Sequence, residues 1–129
     1  MGHEEELIRA FISPTKRSRY LEFISKPQTR KKFLGELAHF KALDQRYLVL
    51  IPSSERHARN IASILQRKGA PQTCYVTSEN SQIDGREMLP SEALGEVVGR
   101  EMGTFLSCIP GRLAYFEDEE DRWILERQA

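Results

Sequence analysis

Thr104-Phe105-Leu106-Ser107-Cys108-Ile109, Pro110-Gly111 and Arg112-Leu113-Ala114-Tyr115-Phe116 read as a strand, a tight turn and a second strand. Pro110-Gly111 suits the central positions of a type II turn, whose second residue needs a positive φ. Upstream, Pro90 opens a helix carrying Ala93, Leu94, Val97 and Val98 on its apolar face, and residues 78–89 form a polar loop turned at Asp84-Gly85. Further upstream, Tyr47-Leu48-Val49-Leu50-Ile51 is a continuous apolar run ended by Pro52, which suits a strand covered on both faces. Ser53 and Ser54 offer N-caps for a helix with Ala58, Ile61, Ala62 and Leu65 inward, stopped at Lys68-Gly69. Thr73-Cys74-Tyr75-Val76-Thr77 is the next strand. Strand, helix and strand over about 30 residues predict a βαβ unit with two parallel neighbours and a right-handed crossover.

The N-terminal third has a different period. Leu7, Ile8, Phe11 and Ile12 mark one helix, Tyr20, Leu21, Phe23 and Ile24 a second opened by Ser13-Pro14, and Phe33, Leu34, Leu37, Ala38 and Phe40 a third after Lys26-Pro27. Near the other end, Glu117–Asp121 reads as a solvated acidic loop and Trp123-Ile124-Leu125 as a last strand. The expected architecture is one α/β domain over residues 1–129. A helical segment, 1–46, precedes an α/β core, 47–129, made of the βαβ unit, a further helix and the C-terminal hairpin in a mixed sheet of about four or five strands.

Composition narrows the class. The chain has 129 residues, 40% of them hydrophobic and 29% charged, which is a globular balance with one core's worth of apolar side chains. No apolar run approaches the ~20 residues of a bilayer span, and the acidic start Glu4-Glu5-Glu6 is the wrong sign for a signal peptide. A cytoplasmic location without membrane contact is expected. Cys74 and Cys108 have no C-x-x-C partner and are read as core thiols. Net charge is zero, yet residues 1–46 carry +4 and residues 47–129 carry −4.

The candidate site follows from the expected parallel strands, whose carboxyl ends would share one sheet edge where ligands of open α/β sheets bind. Ser53, Ser54 and Arg56 from one loop, and Ser78, Glu79, Asn80, Asp84 and Arg86 from the other, would converge there. The serines open a helix whose free N–H groups could hold an anion, although no phosphate-loop glycines accompany them. Glu79, Asp84 and Glu87 form a carboxylate set whose spacing matches no metal loop, so neither a metal nor a cofactor is expected. Cys108 could be a nucleophile with His57 or His39 as base, but nothing in the sequence sets a histidine beside it, and no catalytic residue is assigned. Lys16, Arg17, Arg19, Lys26, Arg30, Lys31 and Lys32 form a basic set on the helices that could meet a phosphate backbone, without an aromatic platform or base-reading motif beside it.

The segment Gly103–Phe116, with Ser78-Glu79-Asn80 and Asp84-Gly85-Arg86-Glu87, resembles a family of small bacterial proteins to which no activity is assigned. That resemblance implies a bacterial, cytoplasmic setting and transfers no functional residue. The reading placed first is a small non-enzymatic binding or regulatory module acting through protein contacts, its partner and oligomeric state undetermined. An enzyme or sensor for a phosphorylated small molecule or nucleotide at the strand edge comes second, and a nucleic-acid accessory protein third.

Overall fold

The hairpin forms as β4 (Thr104–Ile109) and β5 (Leu113–Glu117), with Gly111 at φ +72°. Side chains alternate across a strand, and here both sets are apolar. Phe105, Ala114 and Phe116 enter one core, while Leu106, Cys108, Leu113 and Tyr115 enter another. A sheet greasy on both faces needs a cover on both. The computed structural model, which describes residues 2–128, supplies two. On one face lie α1 (His3–Phe11), α2 (Arg17–Ile24) and α3 (Pro27–Glu36); on the other lie α4 (Ala58–Arg67) and α5 (Pro90–Val97).

Six strands make the sheet: β1 (Leu48–Leu50), β2 (Cys74–Ser78), β3 (Glu87–Met88), β4, β5 and β6 (Arg122–Glu126), in the order β1-β6-β5-β4-β2-β3. Every pairing is antiparallel. The expected mixed sheet of four or five strands is therefore corrected to six antiparallel ones. β1 and β2 do run in the same direction, but β6, β5 and β4 stand between them, so the βαβ unit of neighbouring parallel strands does not form. The hairpin, apolar on both faces, takes the centre, and β1 is pushed to an edge instead of being covered on both sides.

Three local readings also change. Ser53 and Ser54 lie in a 3-10 turn, Ser53–Glu55, and make no capping bond; His57 caps α4, its Nδ1 accepting from Asn60 N at 3.3 Å. Glu87–Met88, inside the supposed loop, pairs with β2 as the far edge strand. Glu117 and Asp118 are buried, not solvated. Asp118 Oδ1 accepts from Glu120 N at 2.8 Å and Asp121 N at 2.6 Å, turning β5 into β6.

The helical layer is fastened by aromatic rings. Phe105 and Phe116 lie 4.4 Å apart between centroids, and Phe33, Phe40 and Tyr20 stack outward from them at 5.3–6.4 Å. Burial, with the hydrogen bond Tyr20 donates to Glu36 Oε1 (2.7 Å) and that carboxylate's charge, pushes the Tyr20 phenol up to about 12. The chain then passes close under this layer at Gly103, where an added Cβ would sit 2.3 Å from the Leu37 carbonyl carbon.

Gly103→Ala is expected to destabilise the protein by about 1–3 kcal/mol, the usual cost of overpacking, because backbone, not a flexible side chain, blocks the methyl. Gly35, with nothing within 4 Å of its added Cβ and a helical setting, is the control: Gly35→Ala should be neutral or stabilising by up to about 1 kcal/mol. Denaturant unfolding of both variants checks the contrast. The phenol of Tyr20 stays neutral in the fold above pH 10, where the unfolded phenol ionises, so its contribution to stability is full below about pH 10 and is lost as the pH rises towards 12. Unfolding curves measured across that window should fall more steeply for the wild type than for Tyr20→Phe.

Candidate functional site

The two loops expected to converge do not meet. They leave the same end of the sheet, four strand positions apart, which is about 19 Å at the usual strand spacing. At the β1 loop, Ser53 and Ser54 face solvent. Arg56 is a clamp: its Nε donates to Ile51 O (2.7 Å), Nη1 to Glu120 O (3.3 Å) and Nη2 to Asp121 Oδ1 (2.9 Å), binding the loop to the β5–β6 turn.

At the β2 loop the polar groups are spent on the loop itself. Ser78 Oγ accepts from Asn80 N (2.9 Å) and lies 2.7 Å from Thr104 Oγ1; Asn80 Oδ1 accepts from Gln82 N (3.0 Å); Glu79 N donates to Gly103 O (3.1 Å). Gly85 takes φ +79° and closes the turn by donating to Val76 O. Arg86 is exposed. Among the described residues no three or more His, Cys, Asp or Glu side chains are arranged to hold a metal ion.

The densest polar cluster lies elsewhere and draws on the basic set. Arg30, read as exposed, is partly buried between two carboxylates. Its Nη1 and Nη2 donate to Asp84 Oδ2 and Oδ1 at 2.6 and 2.8 Å, while Nε and Nη2 donate to Glu4 Oε1 and Oε2 at 3.0 and 2.5 Å. Thr77 Oγ1 donates to Glu4 (2.8 Å) and Ser78 N to Asp84 Oδ1 (2.9 Å). The hydrogen bonds to Asp84 and Glu4 raise the pKa of Arg30 and keep it cationic. This network ties α1 and α3 to β2 and engages four of the five guanidinium N–H donors. Arg17 likewise donates to Ile12 O (2.9 Å), and Arg19 lies over the Tyr20 and Phe23 rings. Lys16, Lys26, Lys31 and Lys32 remain exposed. No pattern of spacing singles out His3, whose ring stacks on Tyr75 at 5.4 Å with Nδ1 2.7 Å from Ser107 Oγ.

Cys108 is buried, and its hydrogen bond with Cys74, together with burial, pushes its thiol well above the ordinary range. His57 caps α4 and His39 pairs with Glu119 at 3.1 Å, so neither of the two expected bases is bonded to Cys108, whose Sγ donates to Leu106 O. Glu117, fully buried, accepts from Tyr115 Oη (2.8 Å), Glu101 N (2.9 Å) and Gly99 N (3.3 Å), with Arg122 Nε 3.4 Å away. It moors the loop that carries Gly103 into place, including Glu101 at φ +60°.

The outer edge of β1 is open to another molecule. Ile51 N donates to Arg122 O (2.9 Å), and the register pairs Val49 with Ile124. In an antiparallel ladder alternate residues share the hydrogen bonds, so Val49 and Ile51 bond inward to β6. Leu48 and Leu50 turn their peptide groups outward. Leu48 N is taken by Gln45 O, which leaves Leu48 C=O and Leu50 N–H without a backbone partner among the described residues. Val49 is 56% exposed and Leu50 47%. The opposite edge, β3, is two residues long and carries the exposed Glu87, a short and charged edge that resists pairing.

No helix is long and apolar enough to cross a membrane among the described residues. The chain matches no family model, no curated protein and no solved structure.

Arg30→Met is expected to destabilise the fold by about 2 kcal/mol, below the 3–5 kcal/mol of a fully buried pair because solvent reaches this cluster. Arg30→Lys should recover little of it, since an ammonium cannot span two carboxylates with a planar fork. Urea titration of the two variants is the check.

Proposed function

We propose that this chain is a non-enzymatic binding module acting through protein contacts, and that the outer edge of β1 is its contact surface. The observation that carries the reading is one open, apolar edge. Unpaired Leu50 N–H and Leu48 C=O are flanked by exposed Val49 and Leu50 side chains, one on each face of the sheet. Strand addition uses these two features together, with main-chain hydrogen bonds for affinity and alternating side chains for selectivity. Proteins ordinarily blunt such an edge with charge, proline, a covering loop or short length; β1 is short and is ended by Pro52, but within Leu48–Leu50 neither a charge nor a proline interrupts the edge.

The reading of a phosphorylated ligand at a shared strand edge is not supported, because its two loops lie about four strand spacings apart. The basic helices favour a nucleic-acid partner less than their charge suggests, since Arg30 and Arg17 are committed within the fold.

A fluorescent extended peptide copying residues 46–52 is a suitable probe, read by anisotropy. It should bind the wild type and lose at least tenfold in affinity with Leu50→Pro. Proline at this position removes only the outward N–H, because the ladder to β6 is made by Val49 and Ile51. Equal binding by Leu50→Pro, or no peptide binding by a wild-type protein shown to be monomeric, would overturn the reading.

A further inference from the structure

We infer that the occupant of the β1 edge is a second copy of this chain, joined by antiparallel β1–β1 pairing about a two-fold axis through Val49, into a continuous twelve-stranded sheet. This rests on the reading of β1 as the contact edge. A closed two-fold contact requires a self-complementary patch, and β1 is one. Leu48-Val49-Leu50 reads the same in both directions. Antiparallel pairing centred on Val49 sets Leu48 opposite Leu50 of the other copy and Val49 opposite Val49.

The free backbone groups agree with that register. The outward residues on each copy are Leu48 and Leu50, so each Leu50 N–H meets the other copy's Leu48 C=O, giving two equivalent hydrogen bonds. Leu48 N, already held by Gln45 O, is not needed. Val49 then occupies the central pair without hydrogen bonds, where the strands approach most closely, about 4.5 Å between Cα atoms. Pro52 ends the ladder, since it has no N–H to extend it.

Charge selects the same direction. Arg46 precedes β1; it is paired with Asp44 through Nε (3.1 Å) and Nη2 (2.8 Å), but its side chain is 64% exposed and its Nη1 has no partner among the described residues, and exposed Glu55 follows the strand. Antiparallel pairing brings each Arg46 to the end where the other copy carries Glu55, whereas parallel pairing would set like charges together. A three-residue strand pair falls short of the ~1,200 Å² of a standard interface. The dimer is therefore weak and concentration-dependent, forming at micromolar concentrations or above.

Sedimentation velocity over a hundredfold concentration range should show a monomer shifting to a dimer. Leu50→Pro should weaken the dimer at least tenfold, and Glu55→Lys should weaken it less, with the difference shrinking in high salt. Geometry is read by crosslinking: with Cys74 and Cys108 buried, Val49→Cys under mild oxidation should give a disulfide-linked dimer, and Leu50→Cys, which lies opposite Leu48, should give little. Crosslinking of Leu50→Cys as readily as Val49→Cys, or a dimer indifferent to Leu50→Pro, would overturn the inference. A monomer at every concentration that still captures the 46–52 peptide would overturn self-pairing and leave the contact edge standing. A monomer that captures no peptide would remove both.

Discussion

Burial of both faces of the β4–β5 hairpin is the constraint on which the rest of the structure depends. Phe105 and Phe116 on one side, Leu106 and Tyr115 on the other, all lie fully out of solvent. At ~25 cal/mol per Å² of apolar surface, neither face can be left open in a chain of this size. The N-terminal helices close one and α4 with α5 close the other. Antiparallel sheets commonly keep one wet face; this one is sandwiched like a parallel sheet, and its strand order follows from putting the greasiest pair in the middle.

The polar residues that first suggest chemistry serve that sandwich. Arg30 joins α1 and α3 to β2 through Glu4 and Asp84. Glu117 moors the loop that brings Gly103 under Leu37. Arg56 straps the β1 loop to the β5–β6 turn. Each is a charge at a place where separate elements meet, and each makes three or more polar contacts within the fold. With those groups engaged by the fold, the unpaired backbone at β1 is a surface the molecule offers outward.

Local periodicity made the helices, the hairpin and most strand segments legible in the sequence. The strand order was not legible, because nothing in the α4 connection's residues says whether it moves one strand position or four. Tyr47–Ile51 shows the limit well: a continuous apolar run means two covered faces in the centre of a sheet, yet here Val49 and Leu50 face outward. Two-sided apolarity of an edge strand and of a central strand are the same string of letters. Arg30 shows another limit. Its neighbours Lys31 and Lys32 are exposed, while the carboxylates that claim it are 26 and 54 residues away in sequence, beyond any pattern of spacing. His3 was invisible for the same reason, since its partner Ser107 lies 104 residues distant.

The central claim is that β1 is paired on one side and open on the other, and amide hydrogen exchange reads the two sides separately. In dilute protein, Val49 and Ile51 amides should exchange slowly and the Leu50 amide fast, with Leu50 gaining protection as the concentration is raised into the range of association. A Leu50 amide already protected in the dilute monomer, or one that stays fast while the protein associates, would contradict it.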